Sequence, residues 1–141
     1  MEIMTTQTKP RDSKKTQTPT SIVWFEIPAD NVERAKKFYG ALFGWKIEKF
    51  PAAAVEDYWH IDTGGGEDTP DGALMQRMYP QQPITNYVIV PSVDEAAEKV
   101  EKLGGKIMKP KTEVPSMGWF IICRDTENNE FALWERNEDS E

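Results

Sequence analysis

The chain reads as an α+β fold made of two βαβββ modules, and three observations predict it. The stretch Ile22 to Trp45, IVWFEIPADNVERAKKFYGALFGW, returns in weaker form at Asn86 to Lys106, NYVIVPSVDEAAEKVEKLGGK. Each copy starts with β-branched and aromatic residues, passes a proline (Pro28, Pro91), enters apolar residues at helical spacing and stops at glycine. Three further short stretches of strand character follow each helix, so the count is one helix and four strands, twice.

In order, residues 1–20 form a tail rich in Thr, Lys, Gln and Pro with almost nothing to bury, and they read as disordered. The first strand is Ile22 to Ile27. Asp30-x-x-Glu33 then reads as a capping box, and the helix behind it sets Val32, Ala35, Phe38, Tyr39, Leu42 and Phe43 on one broad face expected to pack on a sheet. Gly44 supplies the left-handed exit. Lys46 to Phe50 is the second strand, PAAAVED a loop, and Tyr58 to Asp62 the third strand, ending at the glycines Gly64 to Gly66, a candidate cavity lip. Ala73 to Met78 is the fourth strand and Tyr79 to Pro83 the linker between modules.

The second module, residues 84–136, has Asn86 to Val90 as its first strand. A helix follows, capped by Ser92-x-x-Glu95, with Val93, Ala96, Ala97, Val100 and Leu103 inward and an exit at Gly104 and Gly105. Lys106 to Val114 is a strand that Pro110 confines to an edge or bulge, because proline has no N–H for a ladder. Trp119 to Arg124 and Phe131 to Arg136 complete the sheet, and the acidic residues 137–141 read as frayed.

Composition bounds the partners. The 141 residues suit one domain, 21–136, and 38% apolar content is enough for a core. Seventeen basic against twenty-four acidic residues give a net charge of −7. The tail carries Lys9, Arg11, Lys14 and Lys15 against Glu2 and Asp12, so the remainder stands at −9. Such a surface repels phosphate, which excludes nucleic acid as a natural partner. No apolar run reaches the roughly twenty residues a bilayer needs, so no membrane partner is expected. The start, MEIMTTQTKP, lacks a basic segment followed by an apolar one and reads as no secretory signal. The single cysteine, Cys123, forbids an internal disulfide, and the compartment expected is the cytoplasm.

The repeated βαβββ unit, the FY-x3-FGW ending of the first helix (Phe38, Tyr39, Phe43, Gly44, Trp45) and the closing stretch Asp125 to Glu135 resemble the vicinal oxygen chelate superfamily over about residues 21–136. This is the group of glyoxalase I, bleomycin-resistance proteins and extradiol dioxygenases. The resemblance implies a glyoxalase-like fold of curved mixed sheets with a concave ligand cavity, a homodimer and, in catalytic members, a divalent metal. Carried over residue by residue, the metal positions fall on Trp24, on Thr85 or Tyr87, and on Ala132, with Gln76 in an undetermined register. Indole and methyl groups cannot bind a dication, so no metal and no cofactor are expected.

Strand parity gives a separate view of the cavity, since alternate side chains point to opposite faces. Val23, Phe25 and Ile27 suit the helix side, leaving Trp24 and Glu26 toward the cavity. Tyr87 and Ile89 take the cavity side in the fifth strand, and Ala132 and Trp134 in the last. Trp24, Tyr87 and Trp134 read either as ligand-binding aromatics or as ordinary core. Glu26 is the candidate catalytic or binding carboxylate, or else the partner of Arg77 or Arg124. His60, the sole histidine, reads as a half-exposed strand residue rather than a ligand, and Cys123 as a small buried hydrophobe. Gly64 to Gly66 lack the lysine and helix of a phosphate cradle.

The function expected is that of a glyoxalase- or bleomycin-resistance-like protein. It would bind a small apolar or planar molecule in the cavity with the family metal site lost. A metal-dependent lyase, isomerase or dioxygenase, and an interaction module, are the alternatives.

Overall fold

The computed structural model describes residues 20–50 and 57–137. The tail up to residue 19, most of the PAAAVED loop and the acidic residues from 138 lie outside the described residues.

Among the described residues ten elements follow one another: β1 (Ile22–Ala29), α1 (Val32–Phe43), β2 (Lys46–Lys49), β3 (Tyr58–Asp62), β4 (Asp71–Gln76), β5 (Thr85–Ile89), α2 (Val93–Lys102), β6 (Lys106–Val114), β7 (Gly118–Arg124) and β8 (Glu130–Arg136). The strands form one eight-stranded mixed sheet in the order β2-β3-β4-β1-β5-β8-β7-β6. Within each module the first strand runs parallel to the last, β1 beside β4 and β5 beside β8, and the modules join through the antiparallel pair β1/β5. The two expected modules therefore share one sheet, with their first strands at its centre.

Both helices lie on the same face, each over its own half. Under α1 the core holds Ile27, Ala29, Val32, Ile47, Ile61 and Leu74. Under α2 it holds Val90, Val93, Ile121, Cys123 and Leu133. Cys123 is fully buried, and burial pushes its thiol up to about 11, as expected of an inert buried cysteine.

Several expectations are corrected. The N-cap of α1 is Asn31, whose side chain accepts from the Arg34 amide at 2.9 Å, and not Asp30. Asp30 instead takes Arg77 Nε at 2.8 Å, which removes it from capping. At the second helix Ser92 accepts from Glu95 N, as expected. The broad face of α1 is wider than the sheet it covers. Phe38, Leu42 and Phe43 stay 59%, 57% and 55% exposed, while Val32 is buried and Ala35 and Tyr39 pack on the core. Leu103, expected inward, lies past the end of α2 and is exposed. β4 begins two residues earlier than its pattern suggested, at Asp71, because Gly72 fits directly beneath the Phe25 carbonyl and ring.

Pro110 sits as expected. β6 is an edge strand, and its pairing with β7 shifts register between Lys109 and Thr112, around the proline.

Candidate functional site

The face of the sheet away from the helices carries two rows of facing side chains. One row runs Glu48, His60, Ala73, Glu26 and Thr85 across β2, β3, β4, β1 and β5. The next includes Asp71, Trp24, Tyr87, Ala132 and Ile122 across β4, β1, β5, β8 and β7. Strand parity thus places Trp24, Glu26, Tyr87 and Ala132 on this open face, as read from the sequence. Thr85 and Tyr87 are both on it, opposite Glu26 and Trp24 respectively. Gln76 pairs with Ala29 on the helix side and donates to the Asp30 carbonyl, so it does not reach the open face.

Glu26 is the centre of this face. Its Oε2 accepts from the Tyr58 hydroxyl at 2.7 Å and its Oε1 from the Tyr87 hydroxyl at 2.9 Å. Trp24 Nε1 in turn donates to the Tyr58 oxygen at 3.1 Å. Neither arginine suggested as its partner reaches it: Arg77 is held by Asp30, Pro28 O and Gln82 O, and Arg124 donates to Asn128. Two phenols, and neither of these guanidinium groups, hold the carboxylate. Burial raises the Glu26 pKa above the usual carboxylate value; the two tyrosine hydrogen bonds oppose this and the charge of Glu130 adds to it. Burial beside the Glu26 charge likewise pushes both phenols upward, so Tyr58 and Tyr87 remain donors at neutral pH.

A second carboxylate is held in the same manner nearby. Glu130 accepts from the Thr85 hydroxyl at 2.9 Å and the Tyr79 hydroxyl at 2.8 Å.

Toward β3 the face becomes a wall of rings. Trp24 stacks on His60 with centroids 5.8 Å apart and planes within 3°, and Phe50 leans on Trp24, Tyr58 and His60 at 5.8–6.4 Å. His60 Nε2 lies 3.2 Å from Asp71 Oδ2, and Asp71 Oδ1 accepts from Thr63 N and Oγ1. On the other side Tyr87 packs on Phe120, and Trp134 sits opposite Phe120 with its ring over Gly118. Trp134 shares the face but stands outside the Glu26 hydrogen-bond cluster. Ala73 and Ala132 are fully buried and Tyr87 is nearly so, which means larger side chains cover the centre of the face. An open recess of about 610 Å³ lies elsewhere, along the linker, lined by Asp30 and by Arg77 to Gln81.

Tyr58, Asp71, Phe120 and Glu130 are absent from the sequence-derived site. Tyr58 and His60, spaced by two in one strand, carried the signal for a shared face; Asp71 lay hidden ahead of the start expected for the fourth strand.

The positions that the resemblance marks for metal do not fit one. Trp24 offers an N–H rather than a lone pair, and Ala132 offers nothing. The hydroxyls of Thr85 and Tyr87 are given to Glu130 and Glu26. Among the described residues no three His, Cys, Asp or Glu side chains converge as a metal site.

Comparison with known proteins agrees with this architecture. The bleomycin resistance protein-like N-terminal family model matches residues 21–55. A glyoxylase-like domain-containing protein of Didymella fabae is 32% identical over 119 residues, which cover 79% of this chain and 90% of that protein. The chain belongs to the glyoxalase-like family of the vicinal oxygen chelate superfamily. Another relative within this glyoxalase-like family, a putative glyoxylase of Mycobacterium tuberculosis, is 30% identical over 117 residues. The chain spans 45% of the length of that protein. Solved structures share the glyoxalase-like fold at low identity. A methylmalonyl-CoA epimerase from M. tuberculosis superposes with a TM-score of 0.61 at 11% identity over 89% of this chain and 94% of that one. A glyoxalase/bleomycin resistance protein/dioxygenase superfamily member from Vibrio splendidus gives 0.59 at 10% identity over 84% and 99%. Among the described residues no helix is long and apolar enough to cross a membrane.

Proposed function

We propose that this glyoxalase-like protein binds a small planar organic molecule on the open face of its sheet, against Trp24 and His60, without a metal at the family's usual place. The observation that carries the reading is the continuous ring wall of Trp24, Phe50, Tyr58 and His60, all partly exposed, beside a buried carboxylate already satisfied by two phenols. An apolar surface with a few fixed polar groups suits a flat ligand. The donor chemistry at Trp24, Thr85, Tyr87 and Ala132 supports the absence of metal, since a dication needs three or four donors at about 2.0–2.3 Å.

Two measurements test it. Titration with planar aromatic compounds should quench tryptophan fluorescence in the intact protein and lose most of that response in Trp24→Leu. Elemental analysis of protein purified without chelator, followed by titration with zinc, nickel and manganese, should reveal no stoichiometric site. One equivalent bound at micromolar affinity or better would make a metal-dependent lyase, isomerase or dioxygenase the leading reading. Failure of every planar compound to bind would leave an interaction module.

A homodimer is the assembly we infer. The exposed Phe38, Leu42 and Phe43 on α1 support it, and at the position of α2 equivalent to Phe38, counted from the N-caps, the chain carries Lys99 instead. Light scattering of the intact chain at micromolar concentration should give twice the 16.1 kDa protomer mass, and Phe38→Asp should halve it. The cytoplasm remains the compartment that the lone buried cysteine suits.

A further inference from the structure

We propose that His60 is the proton-accepting group of the open face, and that the ligand it takes bears a weakly acidic O–H or N–H on its planar ring, as a phenol, enol or imide does. This rests on the planar-ligand reading above and adds the functional group that is recognised.

The argument begins at Asp71. Its Oδ1 accepts from Thr63 N at 3.1 Å and Thr63 Oγ1 at 3.3 Å, so that oxygen carries no proton, and its Oδ2 faces His60 Nε2 at 3.2 Å. A carboxylate only accepts, so Nε2 carries the hydrogen of that bond. The neutral ring is then left with a bare lone pair on Nδ1. Asp71 thus selects the tautomer, and Thr63 holds Asp71.

The ring is also fixed in orientation. It stacks on Trp24 within 3° and meets Phe50 at 40° with centroids 6.0 Å apart. Its side chain is still 35% exposed, enough for a ligand to reach it. The charged groups facing it are carboxylates: Asp71 on β4, Glu48 opposite on β2, and Glu26 beyond Ala73 in the same row. The fold does not demand a polar residue here. In the second module the strand residue that pairs with the corresponding buried alanine, Ala132, is Ile122.

A ring lying against Trp24 can direct an O–H at His60 Nδ1. On transfer the O–H bond breaks, its electron pair stays on the ligand oxygen, and the proton bonds Nδ1. The imidazolium so formed keeps its other N–H on Asp71, and the ligand remains as an oxyanion beside it. A proton acceptor held by an ionised orienting group is the arrangement that makes histidine an effective base.

The probes are 4-nitrophenol, whose anion absorbs in the visible, and its methyl ether 4-nitroanisole, which has the same ring and no proton. In mildly acidic buffer the intact protein should bind the phenol about tenfold more tightly than the ether, the difference one charge-assisted hydrogen bond supplies. The bound phenol should show the anion band. His60→Gln should lose the band and the preference, so that it binds phenol and ether alike. Asp71→Asn keeps the shape, but Thr63 holds the amide oxygen, so the amide N–H faces Nε2 and reverses the tautomer; it should also lose the band. Equal binding of phenol and ether by the intact protein, or a full anion band in His60→Gln, would overturn the proposal and leave the planar-ligand reading standing. Binding of neither probe would overturn both. If circular dichroism shows that His60→Gln does not fold, an undiminished band in Asp71→Asn is the overturning result.

Discussion

Tyr87 of the second module gives its phenolic hydrogen to Glu26 of the first at 2.9 Å, so a part-buried hydrogen bond ties the modules together where their central strands meet. Removing it should be felt as stability. Tyr87→Phe leaves Glu26 Oε1 without its donor, at a cost of about 1–3 kcal/mol for a buried acceptor. Urea denaturation should show the midpoint falling with an unchanged slope. A change within about 0.5 kcal/mol, the range of ordinary surface substitutions, would mean that the bond contributes nothing.

Glu26 should also leave a mark on the pH dependence of stability. Its folded pKa is raised by burial, so its contribution to stability is fully present below the ordinary carboxylate pKa. That contribution is lost as pH rises from the ordinary glutamate value of 4.5 through the raised folded value. The intact protein should therefore lose stability relative to Glu26→Gln by up to about 1.4 kcal/mol per pH unit inside that window, with no further divergence above it. Parallel stability curves for the two proteins between pH 4 and 8 would show the Glu26 carboxyl to be unperturbed.

The cap of α1 can be tested against its neighbour. Asn31→Ala should cost about 1 kcal/mol, because the Arg34 amide loses its acceptor. Asp30→Ala removes an exposed pair with Arg77 and should cost less, within about 0.2–1 kcal/mol. The reverse order in chemical denaturation would return the cap to Asp30.

Gly118 should not tolerate a side chain. A methyl group there would run into the Glu135 carbonyl oxygen and the Trp134 ring, and the oxygen belongs to a paired strand that cannot move aside. Gly118→Ala should destabilise by about 1–3 kcal/mol as overpacking does, and it should displace Trp134, visible as a change in near-UV circular dichroism. An unchanged melting temperature would show that β7 and β8 can separate at this end.

Much of this was legible in the chain because the pleat imposes a period of two. That period alone put Trp24, Glu26, Tyr87 and Ala132 on one face without knowledge of any partner. What escaped were contacts over long separations. Nothing local says that Tyr58 and Tyr87, 32 and 61 residues away, would hold Glu26, and charge offered only Arg77 or Arg124 as structural partners. Asp30 and Asn31 are equal as caps by propensity, and a distant arginine decided between them. Helical spacing marked Phe38, Leu42 and Phe43 as one apolar face, but the width of sheet beneath them is a tertiary quantity.

Because the sheet does not close on itself, it ends in two strands whose outer backbone groups could template further strands. β2 is only four residues long, with a lysine at each end. β6 is interrupted by Pro110, which has no N–H to offer, and by two breaks in register. Short length, lysine and proline are the devices by which open sheets resist growing into fibres. The fold thus leaves its borders poor at recruiting foreign strands.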